Sequence, residues 1–166
     1  MKSTRHIENG FMPILIGFIA GFLATLTFHQ ITLWILHGVG IAPFGPFNMT
    51  PTKPFAIPVV ISLALWGGLW GILLAWGRHR LPGGKMYWLS TFLFGAILPS
   101  LVALLIVAPL KGHPLGGGWP PMLLLTVFLI NGAWGIGTAI FINLLSKIPG
   151  YHHAQAESCP SGTVCR

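Results

Sequence analysis

Acidic residues are almost missing from this sequence. No aspartate occurs anywhere, and the only glutamates, Glu8 and Glu157, lie in the polar ends. Proton-coupled transport typically runs through intramembrane carboxylates, and general acid–base chemistry often uses paired ones. Ser62, Ser90 and Ser100 have no G-x-S-x-G context and no partner acid, so none reads as an activated nucleophile. These absences argue against an enzyme, a proton pump and a cation transporter. Passage of an anion or a neutral solute stays open.

Charge of either sign is also scarce. Only 7% of the 166 residues are charged while 54% are hydrophobic, and mean hydropathy is +0.78. A soluble domain carries about 25% charged residues, so this chain cannot cover a water-facing surface. The composition predicts an integral membrane protein of one domain. A pI near 10.1 raises nucleic-acid binding, but no basic stripe or aromatic–basic interleave supports it. The first apolar run begins near Phe11, continues past Leu36 and lacks an A-x-A-like site at a suitable distance, which argues against a cleavable signal peptide.

Four apolar runs are predicted to span the bilayer, at about 11–36, 57–76, 87–110 and 119–145, each at or above the ~20 residues required. Residues 1–10 form a polar leader, 11–146 the transmembrane domain, and 147–166 a polar tail. Pro99, near the middle of the third run, withholds the N–H that would bond the Gly95 carbonyl and predicts a kink. The connector His37 to Pro58 is rich in proline yet carries Phe44, Phe47, Met49 and Phe55; it reads as an ordered loop at the bundle mouth. Lys2, Arg5, Arg78, Arg80, Lys85, Lys147 and Arg166 fall on one side, Lys53 and Lys111 on the other. The positive-inside rule then places both termini in the cytoplasm.

Small residues mark the helix interfaces. Gly17 and Gly21 make a G-x-x-x-G pair, and Gly67 and Gly71 repeat that spacing between Trp66 and Trp70. Such spacing lets backbones approach closely. Asn131, Trp134, Gly135 and Thr138 form a related group in the fourth run. The expectation is that helices two and four are central and that the Gly67/Gly71 face meets the helix carrying Trp134 and Gly135. Trp70-Gly71 and Trp134-Gly135 each sit in the second helix of a hairpin, which suggests two parallel hairpin repeats related by an axis along the membrane normal.

Phe28-His29-Gln30, Asn48-Met49-Thr50-Pro51, Trp66 to Gly71, Ala108-Pro109-Leu110-Lys111-Gly112 and Asn131 to Gly135 together resemble a group of small four-helix inner-membrane proteins of proteobacteria. The resemblance runs from Gly17 to Leu145. It implies the fold and the bacterial inner membrane, and carries no assigned activity.

His29 is the chief candidate site, because an ionisable side chain inside a span is costly. Thr25, His29 and Thr32 fall on one face at helical spacing. His29 could bind haem iron or a chlorin magnesium as a tetrapyrrole cofactor, or hydrogen-bond a backbone carbonyl or Asn131 to fix register. Asn131 and Thr138 read as interhelical glue or as the lining of a solute path. His152, His153, Cys159 and Cys165 are soft or borderline ligands in the tail, without a standard zinc spacing, so no metal site is expected. Lys111, His113, His37 and Lys53 form a sparse basic rim.

The sequence thus predicts an all-α four-helix transmembrane bundle, N-in and C-in, without catalysis or a required cofactor. Its leading functional expectation is an accessory or assembly subunit of a larger membrane complex. A small-solute channel or transporter, and a tetrapyrrole-binding subunit using His29, are the alternatives. Expected partners are membrane lipids and other membrane subunits or further copies of the chain, not nucleic acid.

Overall fold

The structure is a computed structural model describing residues 2–52 and 55–147. Four helical rods are long and apolar enough to cross a membrane: Phe11–Gly38, Val59–Arg80, Lys85–Leu110 and Pro121–Leu145. The chain is an all-α four-helix bundle of the multi-pass membrane type. The first rod joins α1 (Lys2–Ala24), a π-helical turn (Thr25–His29) and α2 (Gln30–Gly38). The second is α3 (Val59–Gly77), extended by a 3-10 turn at Arg78–Arg80. The third joins α4 (Lys85–Val102), a second π-helical turn (Ala103–Val107) and α5 (Ala108–Leu110). The fourth is α6 (Pro121–Leu145).

Apolar surface gains nothing by leaving lipid for a helix neighbour, so close van der Waals packing must join the rods. Glycine supplies it twice. In the first hairpin a Cβ on Gly21 would strike the Gly67 carbonyl, and one on Gly71 would strike that of Gly17. In the second, a Cβ on Gly95 would strike the Asn131 carbonyl, and one on Gly135 would strike that of Thr91. Gly68 lies against the Phe18 ring as Gly132 lies against that of Phe92. Each of these glycine contacts in one hairpin therefore has its counterpart in the other, at a constant numerical offset for each helix. The two hairpins are parallel structural repeats.

The repeats do not meet symmetrically. Helix α1 packs against both α3 and α6, and α4 packs on α6, while α3 and α4 barely touch. The first and fourth rods are therefore central, rather than the second and fourth. The Gly67/Gly71 face meets Gly17 and Gly21 of α1, not the helix of Trp134 and Gly135; Gly135 faces Thr91 and Gly95. The half of the bundle nearest the termini is filled by Ile16, Ala20, Leu74, Ala75 and Ile142. Arg78 Nη1 ties this end together by donating to Ser146 Oγ at 3.1 Å.

The connectors are more structured than a bare link. Pro51–Thr52 (β1) pairs antiparallel with Ile57–Pro58 (β2). Because those residues are committed to the pair, the second rod starts at Val59 rather than at Ile57. Its first two free N–H groups, on Val59 and Val60, are met by the Thr50 and Asn48 carbonyls, which caps the helix with backbone. The fourth rod starts at Pro121 because Trp119 is left-handed and Pro120 extended. The segment expected as a separate leader is helical from Lys2.

Both π-turns have a local cause. Pro99 removes one N–H from the ladder just before the turn at Ala103–Val107. In the first rod the Gly21 carbonyl takes hydrogen bonds from Thr25 Oγ1 at 2.9 Å and from Trp134 Nε1 at 3.0 Å. Side-chain donors entering the ladder are a recognised source of such breaks.

Candidate functional site: a cleft between the two repeats

Where α3 and α4 separate, a cavity of about 560 Å³ opens in the half of the bundle that carries the connectors. Leu63, Trp66 and Trp70 line one wall, and Pro99, Ala103 and Val107 line the other. Thr25 and His29 of the first rod and Asn131 and Trp134 of the fourth form the floor. Phe44 and Asn48 of the long connector and Lys111 stand at the mouth. Trp70 meets Phe94 edge-on, with ring centroids 6.2 Å apart, and beyond this contact the packed apolar cluster fills the bundle. The cleft is thus closed toward the termini.

The polar floor is built by a relay from the connector. The Phe47 N–H donates to Gln30 Oε1 at 2.7 Å, so the Gln30 amide must present its NH2 on the other side. That NH2 lies 3.3 Å from His29 Nδ1. Nδ1 faces a donor and therefore accepts, which places the imidazole proton on Nε2. His29 is 7% exposed and Gln30 1%. No enclosed side-chain nitrogen or oxygen lacks a partner among the described residues, and no bond to Nε2 occurs among them. His29 lines the cleft, and with Nδ1 turned to Gln30 its Nε2–H is the ring donor left for that space.

Asn131 is oriented the same way. Ser100 Oγ–H donates to the Val127 carbonyl at 3.4 Å and accepts from Asn131 Nδ2 at 3.0 Å. The Asn131 amide therefore keeps Oδ1 as its remaining acceptor, and Asn131 also lines the cleft. Helix–helix bonding and lining are here one arrangement: the amide nitrogen joins the fourth rod to the third, and the oxygen stays available.

Sequence reasoning missed Gln30 and Ser100. The π-turn carries one extra residue, so the 3.6-residue face does not run through it. Past the turn the buried face is Gln30, Leu33 and Leu36, while Thr32 is only half-buried. The expected stripe of Thr25, His29 and Thr32 therefore stops at His29. A glutamine at membrane depth was itself a signal, since a polar amide there needs partners.

Several expected roles change. Trp66 is 57% exposed, so it borders the cleft rather than packing a helix seam. Trp134, 2% exposed, joins α6 to α1 instead. Thr138 turns its hydroxyl back to the Trp134 carbonyl in its own helix, at 2.8 Å, and supplies no interhelical bond among the described residues. Among the described residues His29 bonds neither a backbone carbonyl nor Asn131; its partner is Gln30. His37 Nδ1–H donates to the Ala42 carbonyl at 3.1 Å, which serves its own loop. Lys53 and the tail residues His152, His153, Cys159 and Cys165 lie outside the described residues.

The donor set at His29 does not fit haem iron or a chlorin magnesium. Either metal needs an unprotonated ring nitrogen, and a ligating histidine normally donates its other N–H to an acceptor. Here Nδ1 meets an amide NH2, whose orientation the Phe47 bond fixes. Moving the proton to Nδ1 would set donor against donor. No group of three or more His, Cys, Asp or Glu side chains could hold a metal ion among the described residues. Comparison with protein-family models, with curated proteins and with solved structures finds no match.

Proposed function

We propose that this chain is a non-catalytic integral membrane protein that holds a small, mainly apolar molecule between its two repeats, as an accessory subunit of a larger assembly. The cleft carries this reading. Its volume of about 560 Å³ lies within the roughly 300–1,000 Å³ of small-molecule sites. A partner's spanning helix, about 10 Å wide and 30 Å long, needs on the order of 2,000 Å³. A small molecule suits the space; an inserted helix does not.

The surroundings support holding rather than conversion. Among the described residues the cleft walls offer no carboxylate and no nucleophile paired with a base. Its closed end, below Trp70 and Phe94, supports binding over open passage through a single copy of the chain. Contact with partner subunits, further copies and lipids falls to the outward faces of the rods. The compartment is the bacterial inner membrane, with both termini cytoplasmic and the cleft mouth on the outer side. The Lys/Arg asymmetry supports that orientation, and the resemblance to the proteobacterial group supports the compartment.

Native mass spectrometry after extraction from its own membranes in mild detergent tests the reading. The expected spectrum shows the chain with a small-molecule mass increment and with partner subunits. A bare monomer, from membranes extracted gently enough to keep known complexes intact, would overturn it.

A further inference from the structure

We infer that the cleft recognises a neutral, membrane-soluble molecule through a carbonyl oxygen, with the His29 Nε2–H as donor. The inference rests on the cleft being a binding site and adds the chemistry of what it binds. The side chain that carries this donor is fixed in place by a relay that starts in the connector. Gln30, enclosed at 1% exposure, has both ends of its amide used: Oε1 by Phe47 N–H and the NH2 by His29 Nδ1. Phe47 itself holds a left-handed backbone, φ 51, which is uncommon for a bulky residue. The whole arrangement leaves one ring N–H as the donor that His29 can offer to the mainly apolar cleft it lines.

The complement of an N–H donor is an acceptor. Among the described residues the deep walls bear no charge, and Lys111 at the mouth is the one charged residue lining the cleft. An ion at the depth of His29 would therefore lose its water without a counter-charge. A neutral oxygen acceptor on an apolar body meets both conditions. Asn131 Oδ1, on the neighbouring rod, adds an acceptor that a hydroxyl or amide of the same molecule can use. Two membrane sources share this chemistry: the ring carbonyl of a quinone and the ester carbonyl of an acyl lipid.

The test uses the full chain in nanodiscs of dialkyl ether lipid, which lacks ester carbonyls, with 15N-labelled histidine. Before any addition, His29 should show the Nε2–H tautomer with an accepting Nδ1. A short-tailed benzoquinone, its dimethoxybenzene analogue, and a diacyl ester lipid are then added separately. A shift of the His29 Nε2–H with the quinone or with the ester lipid, but not with the analogue, supports the inference and identifies the source. His29→Phe should weaken that binding roughly 3- to 10-fold, the worth of one net hydrogen bond; the wild-type comparison stands if the variant does not fold. Equal responses to the analogue and the carbonyl probes would overturn carbonyl recognition while leaving the cleft a binding site. No response of His29 or of the cleft tryptophans to any probe would overturn the binding reading as well.

Discussion

Trp134 Nε1–H donates to the carbonyl of Gly21 at 3.0 Å, within a buried contact between the fourth and first rods. The repeat gives this pair a counterpart, because Trp70 and Gly95 occupy the equivalent places in the other two rods. No such bond joins them among the described residues; Trp70 instead meets Phe94 edge-on, and the cleft opens beside it. The cavity thus lies where one half of a two-fold arrangement is closed by an indole and the other half is not.

The two indoles should therefore differ in what they contribute. Trp134→Phe keeps the ring and removes the donor, so the bundle should lose about 0.6–2 kcal/mol, the worth of an interhelical bond in a membrane. Trp70→Phe removes an N–H without a partner and should change stability by under about 0.5 kcal/mol. Unfolding by denaturant in detergent micelles measures both. Equal losses would mean that the indole bond does not hold the first and fourth rods together.

The glycine seams make a graded prediction. Gly71→Leu places a branched side chain against the Gly17 carbonyl and the Gly21 backbone and should abolish folding. Gly21→Ala and Gly135→Ala add only a methyl, yet each meets a backbone carbonyl, which cannot step aside. Overpacking of this kind costs about 1–3 kcal/mol. Gly77→Ala and Gly83→Ala have open space and should be neutral. Thermal stability of the purified variants checks the series; an undiminished Gly71→Leu protein would sink the seam.

How much of this was legible in the sequence depended on range. The four rods, the Gly17/Gly21 and Gly67/Gly71 spacings and the kinking proline are local properties, and hydropathy or spacing displays them. Which seam meets which is not local. Gly67 and Gly71 carry the same small surface whether they meet α1 or α6, so pairing them with Trp134 was as compatible with the pattern as the pairing observed. The site was less legible still. His29 drew notice because an ionisable group at that depth is expensive, but its partner Gln30 lies beyond a π-turn that breaks the 3.6-residue period. Ser100, next to Pro99, acts only through Asn131 on another rod.

The orientation has its own check. Cysteine placed at position 113 lies in the connector beside the cleft mouth, and at position 79 in the basic turn. With Cys159 and Cys165 changed to serine, His113→Cys should react with a membrane-impermeant maleimide on intact cells. His79→Cys should react only after lysis. The reverse pattern would show the cleft mouth facing the cytoplasm, against the Lys/Arg asymmetry.

Gln30→Leu separates the relay from the fold around it. Leucine approximates the volume of glutamine but neither accepts from Phe47 nor donates to His29, so the variant loses two hydrogen bonds. Each is worth about 0.5–1.5 kcal/mol. The loss should fall on the connector first, because Phe47 keeps an unfavourable left-handed φ of 51 without the bond that holds it. Amide exchange at Phe47 should then quicken while the helices stay protected. With Nδ1 no longer facing an NH2, His29 should populate both tautomers, and the Nε2–H signal should fall. Unchanged exchange at Phe47 together with an unchanged tautomer would show that the connector does not set the histidine. A change confined to Phe47 would show that Gln30 anchors the loop alone and that the tautomer has another cause.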